Sequence, residues 1–168
     1  MSEPEQRHTI AVLVDNEPGV LARVIGLFSG RGYNIDSLTV AEVDRERGRS
    51  RINIVTTGTA QVIEQIKALL AKLVPVHKVA DLTVEGPCLE RELALVKVTG
   101  EREKRVQALR IADFMHARLA HSTRDSFVFE ITGSSEEIDA FIDFMEPLGL
   151  AEVSRAGVVA IAHGARTL

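Results

Sequence analysis

Residues 9–14, TIAVLV, are apolar and β-branched and predict a strand. A turn cluster, Asp15-Asn16-Glu17-Pro18-Gly19, follows. The apolar period then changes. Val20, Leu21, Val24, Ile25, Leu27 and Phe28 recur at helical spacing. Pro18 suits a first helical turn, Asn16 or Glu17 is a candidate cap, and Gly30 and Gly32 close the helix. Alternation at 34–43 (NIDSLTVAEV) and 51–57 (RINIVTT) predicts two strands, joined by a charged hairpin loop whose positive-φ residue is Gly48. Val62, Ile63, Ile66, Leu69, Leu70 and Leu73 form one face of a second helix, Pro75 ends it, and residues 76–84 read as a strand.

The order is β-α-β-β-α-β, the split-βαβ, ferredoxin-like unit of class α+β. The second half repeats it. Strands are expected at 92–99, 118–121, 126–132 and near 150–155, with helices from Glu101 to about His116 and from the Ser134-Ser135 cap region to Met145. The expected layout is a flexible N-terminus at 1–8, a domain at 9–85, a linker at 86–90 around Gly86-Pro87-Cys88, and a second ferredoxin-like domain at 91–168. Each unit leaves one sheet face without helices. In the first half Val40, Ile54 and Val79 are the candidates for that face. Its burial calls for another sheet or chain, hence a homodimer or higher oligomer.

Composition narrows the function. The chain has 168 residues, 45% hydrophobic and 26% charged, with a mean hydropathy of +0.07. It reads as a globular chain with no membrane partner: its longest apolar run, 157–162, is far short of a spanning helix, and MSEPEQRH is no secretory or transit leader. The single cysteine, Cys88, excludes an internal disulfide and suits a reducing cytoplasm; without a nearby histidine it is a poor nucleophile. Net charge is −4, and neither half is strongly basic, so nucleic acid is not an expected partner. The five histidines fall in no metal-binding spacing, and no hydrolase, P-loop or dinucleotide motif is present, so no catalytic residue and no metal ligand is assigned.

The stretch DNEPGVLARV, together with RGYNI, carries the candidate chemistry. A helix start presents unpaired N–H groups and the positive end of the dipole, and so holds carboxylates. Gly19 puts no side chain in the way. Amides of Gly19, Val20 and Leu21 would take a carboxylate, and the Asn16 and Asn34 oxygens an ammonium, which describes a receptor for a free amino acid. On the residues alone a second reading stands: Asn16 as a helix cap and Asn34 as a turn residue.

The run DNEPGVLARVIGLFSGRGYNIDSLTV resembles the opening of the small, regulatory subunit of acetolactate synthase (acetohydroxyacid synthase). PGVLARV alone would indicate only an ACT domain, an amino-acid-sensing version of this fold; RGYNIDSLTV makes the resemblance specific. It continues through IEQIKALLAKLVPVHKV, LERELALVKV, EIDAF and SRAGVVAIAHG, and is weakest over 101–126. It implies a non-catalytic, cytoplasmic chain that binds and activates a large catalytic subunit and confers feedback inhibition by valine, or by leucine or isoleucine. No cofactor is expected in this chain; thiamine diphosphate, Mg and FAD are expected on the partner. The effector would lie between two ACT domains, with Asn16, Gly19 and Leu21 from one chain and Asn34 and Ile35 from the other. The alternative is a stand-alone ACT sensor acting on a different enzyme. An RNA-binding domain would carry aromatics on its central strands, which TIAVLV and RINIVTT of the first half lack, and an acylphosphatase-like enzyme an arginine in the first loop, which here is DNEPG.

Overall fold

The computed structural model describes residues 3–168. The chain divides into two units, residues 3–89 together with Val158–Leu168, and Glu90–Gly157. The first unit runs β1 (Gln6–Asp15), α1 (Val20–Gly30), β2 (Ser37–Asp44), β3 (Arg49–Gly58), α2 (Ala60–Ala71) and β4 (Val76–Asp81). Its strands are antiparallel in the order β2-β3-β1-β4. Ile10, Val12 and Val14 of β1 and Ile52 and Ile54 of β3 pack against Val20, Val24 and Phe28 of α1 and Ile63, Ile66 and Leu70 of α2. Burying each such side chain stabilises by roughly 1.5–3 kcal/mol, so this apolar stripe sets the helix–sheet layer. The Thr59 hydroxyl accepts from the Val62 amide and caps α2.

The candidates for the helix-free face fall on the wrong side. Ile54 is fully buried beneath the helices; Val79 packs there too and stands opposite Val12. Val40 stands opposite Ile52 and so shares its face. Side chains alternate along a strand, so an error of one position exchanges the two faces. The helix-free face carries instead Ala11, Leu13, Arg51, Asn53 and Ala80. The chain covers part of it itself. Residues Val158–Leu168, including β9 (Val159–Ala162), lie over this face. The Ser37 hydroxyl accepts from the Val158 amide at 2.8 Å and the Thr39 hydroxyl donates to the Val158 carbonyl at 3.1 Å. The Arg51 Nη2 donates to the Ala160 carbonyl at 2.6 Å. Ala11, Ala80, Leu82 and Ala160 form a second small core there. The tail thus supplies, within one chain, part of the cover that the sequence pattern assigns to a second one.

Two further expectations are corrected here. Gln6–His8 are not flexible: they extend β1 opposite Thr56–Gly58, and buried His8 places Nδ1 2.8 Å from the Asp81 carboxylate. Met1 and Ser2 lie outside the described residues. The second unit ends at Gly157 rather than at residue 168: Val158–Leu168 fall with the first unit, where Ala160 joins Ala11, Ala80 and Leu82 in a small core.

The second unit contains β5 from Glu90 onward (the strand, Cys88–Val98, begins inside the expected linker), α3 (Arg102–Phe114), β6 (Arg118–Ser122), β7 (Phe127–Gly133), α4 (Ser135–Met145), a short 3-10 turn and β8 (Leu150–Arg155). Its order, β6-β7-β5-β8, reproduces that of the first sheet. Ala94, Val96, Phe129, Ile131, Ile138 and Phe141 anchor its core, with Phe129 and Phe141 edge to face at 6.0 Å. Ser134 and Glu137 form a reciprocal capping box at the start of α4. The weakly patterned β6 is exposed along its length.

Candidate functional site

The loop before α1 is pinned at both ends. The Asp15 amide donates to the Pro75 carbonyl at 2.9 Å and the Asn16 amide to the Gly48 carbonyl at 2.7 Å. His77 Nε2 stands 2.5 Å from the Asp15 carboxylate. Val20, Val24 and Phe28 hold the other side of α1 in the core. The helix start is therefore fixed while its N-terminal end faces outward.

The cap of α1 is Gly19, not Asn16 or Glu17. Gly19 takes the left-handed conformation, φ 87 and ψ −10, and no side chain caps the helix. A glycine reaches this φ without the Cβ penalty that other residues meet. Nothing lies within 4 Å of where its Cβ would stand. The first turn contains no acidic residue, so no carboxylate of the helix itself offsets the dipole there. The arrangement can receive a carboxylate or another small anion on backbone amides.

The Asn16 side chain turns away from the helix: Nδ2 donates to Glu42 Oε2 at 3.0 Å, across to β2. Asn34 Nδ2 donates to Asp36 Oδ1 at 2.6 Å, and the Asn34 carbonyl accepts from the Thr56 hydroxyl at 2.6 Å. Asp36 is itself held by the Thr57 hydroxyl at 2.9 Å. Both asparagines are exposed. Val20 is 5% exposed, so its side chain belongs to the core and only its amide faces the helix end. Leu21 is 37% exposed and Ile25, one turn on, 38%; they put an apolar stripe on the outer side of α1. Ile35 is half-buried against the same core. Within one chain the structure thus sets out Gly19, Val20 and Leu21 as a helix start, and Asn16 and Asn34 as exposed amides. Glu42 and Asp36 were not singled out in the sequence. The close Asn34–Asp36 spacing is a visible signal for the second; nothing local points to Glu42, which lies 26 residues from Asn16.

Among the described residues no group of three or more His, Cys, Asp or Glu side chains is placed to hold a metal. No described helix is long and apolar enough to cross a membrane.

Comparison with known proteins adds to this geometry. A family model described as "AHAS small subunit-like ACT domain" matches residues 10–78, and one described as "Small subunit of acetolactate synthase" matches residues 91–164. A probable acetolactate synthase small subunit of Archaeoglobus fulgidus is 45% identical over 158 residues, covering 94% of this chain and 98% of that one. The acetolactate synthase small subunit of Haemophilus influenzae is 39% identical over 163 residues, covering 96% and 99%. The crystal structure of the acetolactate synthase small subunit from Thermotoga maritima superposes with a TM-score of 0.84 at 34% identity, covering 93% of this chain and 96% of that one.

Proposed function

Because this chain belongs to the acetolactate synthase small-subunit family, we propose that it makes its catalytic partner responsive to a branched-chain amino acid, valine first. Family membership makes it a regulatory subunit working beside a catalytic large subunit. The finer reading is that it activates that subunit in the cytoplasm and inhibits it when the amino acid accumulates. Thiamine diphosphate, magnesium and FAD belong in this reading to the large subunit, which joins pyruvate to pyruvate or 2-ketobutyrate.

The observation that carries the proposal is the start of α1: a left-handed Gly19 cap, an open first turn and no acid. The effector's carboxylate rests on the amides of Gly19, Val20 and Leu21, and its ammonium on the oxygens of Asn16 and Asn34. Asn16, Gly19 and Leu21 come from one protomer, Asn34 and Ile35 from the other. Two features support a second copy here. β2 stands at the edge of its sheet, with outward backbone groups able to pair, and Leu21 and Ile25 are apolar and exposed beside the helix start.

Inhibition is linkage: valine binds more tightly to the arrangement in which the catalytic partner is less active. A ten- to hundredfold response needs a coupling of only ~1.4–2.8 kcal/mol. The test is reconstitution with the large subunit, with calorimetry for valine, leucine and isoleucine. Gly19→Asp, which places a carboxylate where the effector's belongs, is expected to abolish inhibition and spare activation; Asn34→Ala is expected to weaken binding. Full valine sensitivity in either variant overturns the site.

A further inference from the structure

The proposed receptor needs acceptors for an ammonium, yet an asparagine amide offers donors as readily as an acceptor. Two carboxylates resolve this. A carboxylate at neutral pH only accepts, so whatever faces it must be the NH2 end of the amide. Glu42 faces Asn16 in this way at 3.0 Å and Asp36 faces Asn34 at 2.6 Å. In both side chains one N–H is committed to the carboxylate, and the oxygen, which cannot face it, is the acceptor left for a ligand. Asp36 is the more firmly held of the two. Asp36 Oδ2 accepts from Thr57 and its amide donates to the Val55 carbonyl at 2.8 Å. Glu42 Oε1 lies 3.6 Å from Arg45 Nε. The Asn34 backbone is held separately through Thr56.

Resting on the proposed amino-acid site, we infer that Glu42 and Asp36 are positioning residues that lock the Asn16 and Asn34 amides oxygen-outward and thereby select effectors carrying a free ammonium. The charge pattern strengthens the selection. The carboxylates put negative potential behind both amide oxygens, while the α1 start is the positive end of a dipole with no acid in its first turn. A zwitterion fits this polarity in one orientation. The 2-oxo acid with the same side chain has a carbonyl in place of the ammonium and meets two acceptor oxygens. It can satisfy neither, and leaving such groups unpaired discriminates more strongly than a methylene does. The site would thus answer to the finished amino acid and ignore its immediate keto-acid counterpart, which differs by one transamination.

The test is calorimetry on the full chain in complex with its large subunit, using the branched-chain amino acid that binds tightest and the 2-oxo acid of identical side chain. The wild type is expected to prefer the amino acid by roughly tenfold or more. In Glu42→Gln/Asp36→Asn the replacements can donate as well as accept, so both asparagines are free to flip. That variant is expected to lose roughly tenfold in amino-acid affinity while oxo-acid affinity holds or rises. A general loosening would weaken both ligands alike, so the ratio separates positioning from structure. Amino-acid affinity within twofold of wild type, or equal losses for the two ligands, overturns the inference. The underlying site fails differently: a wild type that binds no branched-chain amino acid, or a Gly19→Asp variant that binds it normally, removes the pocket itself.

Discussion

The two units share a strand order, yet the first helix of each begins in opposite surroundings. In the first unit α1 starts at Gly19 in open space, without an acid in its first turn. In the second, α3 starts at Glu101 and carries Glu103 in its first turn. The approach there is also closed. A Cβ on Gly100 would come within 2.0 Å of the Leu148 carbonyl oxygen, and the Thr99 amide donates to the Gly149 carbonyl at 2.8 Å. A carboxylate would meet an open helix start without a side-chain cap in one unit, and packed backbone with acidic side chains in the other. A repeated fold therefore does not repeat a site; the few residues joining the first strand to the first helix decide the chemistry.

Breaking the closed start is expected to have the largest effect. Gly100→Ala forces a methyl group into backbone that has no flexible end to move aside, and is expected to cost about 3 kcal/mol or more in urea unfolding. A loss under about 1 kcal/mol would mean the Leu148–Gly149 turn yields easily and the two helix starts differ less than they look.

The second unit also holds an ion cluster that sharpens the contrast. Arg155 donates to Glu92 through Nε at 2.7 Å and Nη2 at 2.8 Å, and to Asp139 at 2.6 Å through Nη1. The hydrogen bond from Arg155 holds the Glu92 carboxyl below its usual 4.5, with burial opposing. A folded pKa below the unfolded one means that ionised Glu92 stabilises above about pH 4.5 and loses that contribution as pH falls through the folded value. Glu92→Gln is expected to cost about 2 kcal/mol at pH 7. The gap from wild type should close in denaturation series run below pH 4.5. A gap independent of pH would assign the loss to packing rather than charge.

At the open start the cost is conformational alone. Gly19→Ala meets no neighbour and is expected to lose about 1 kcal/mol in thermal or chemical unfolding, the strain of a left-handed alanine. A loss as large as that of Gly100→Ala would show the first helix start to be packed after all.

The smallest effect concerns the helix ends. Both first helices close with the same turn: the Tyr33 amide donates to the Phe28 carbonyl at 3.0 Å, and the Ala117 amide to the Ala112 carbonyl at 2.8 Å. The left-handed position is Gly32 in one, at φ 70, and His116 in the other, at φ 59. His116→Gly is expected to gain about 0.5 kcal/mol after the entropy of the added glycine is counted. A destabilised variant would reveal a role for the imidazole that its backbone does not suggest.

Most of the fold was legible. The change from period two to helical period at Val20, the hairpin glycine Gly48 and the Ser134–Glu137 cap all act within a few residues, where the chain dictates its own geometry. The candidate site was legible in part: Gly19 and the two asparagines stand out in the sequence, but not what holds them. Asn16 was a candidate helix cap until the structure placed its amide on Glu42.

The amino-acid order thus determined the element sequence, the repeated βαββαβ plan and a glycine at a helix start, since periodicity and turn chemistry are local. Only the tertiary structure decided which face of the first sheet lies bare and that residues 158–168 return to cover part of it. It alone also decided which carboxylates orient the two amides. Sheet faces differ by a single step in register, and these contacts join residues far apart in the chain, so their energies appear only once the strands are side by side.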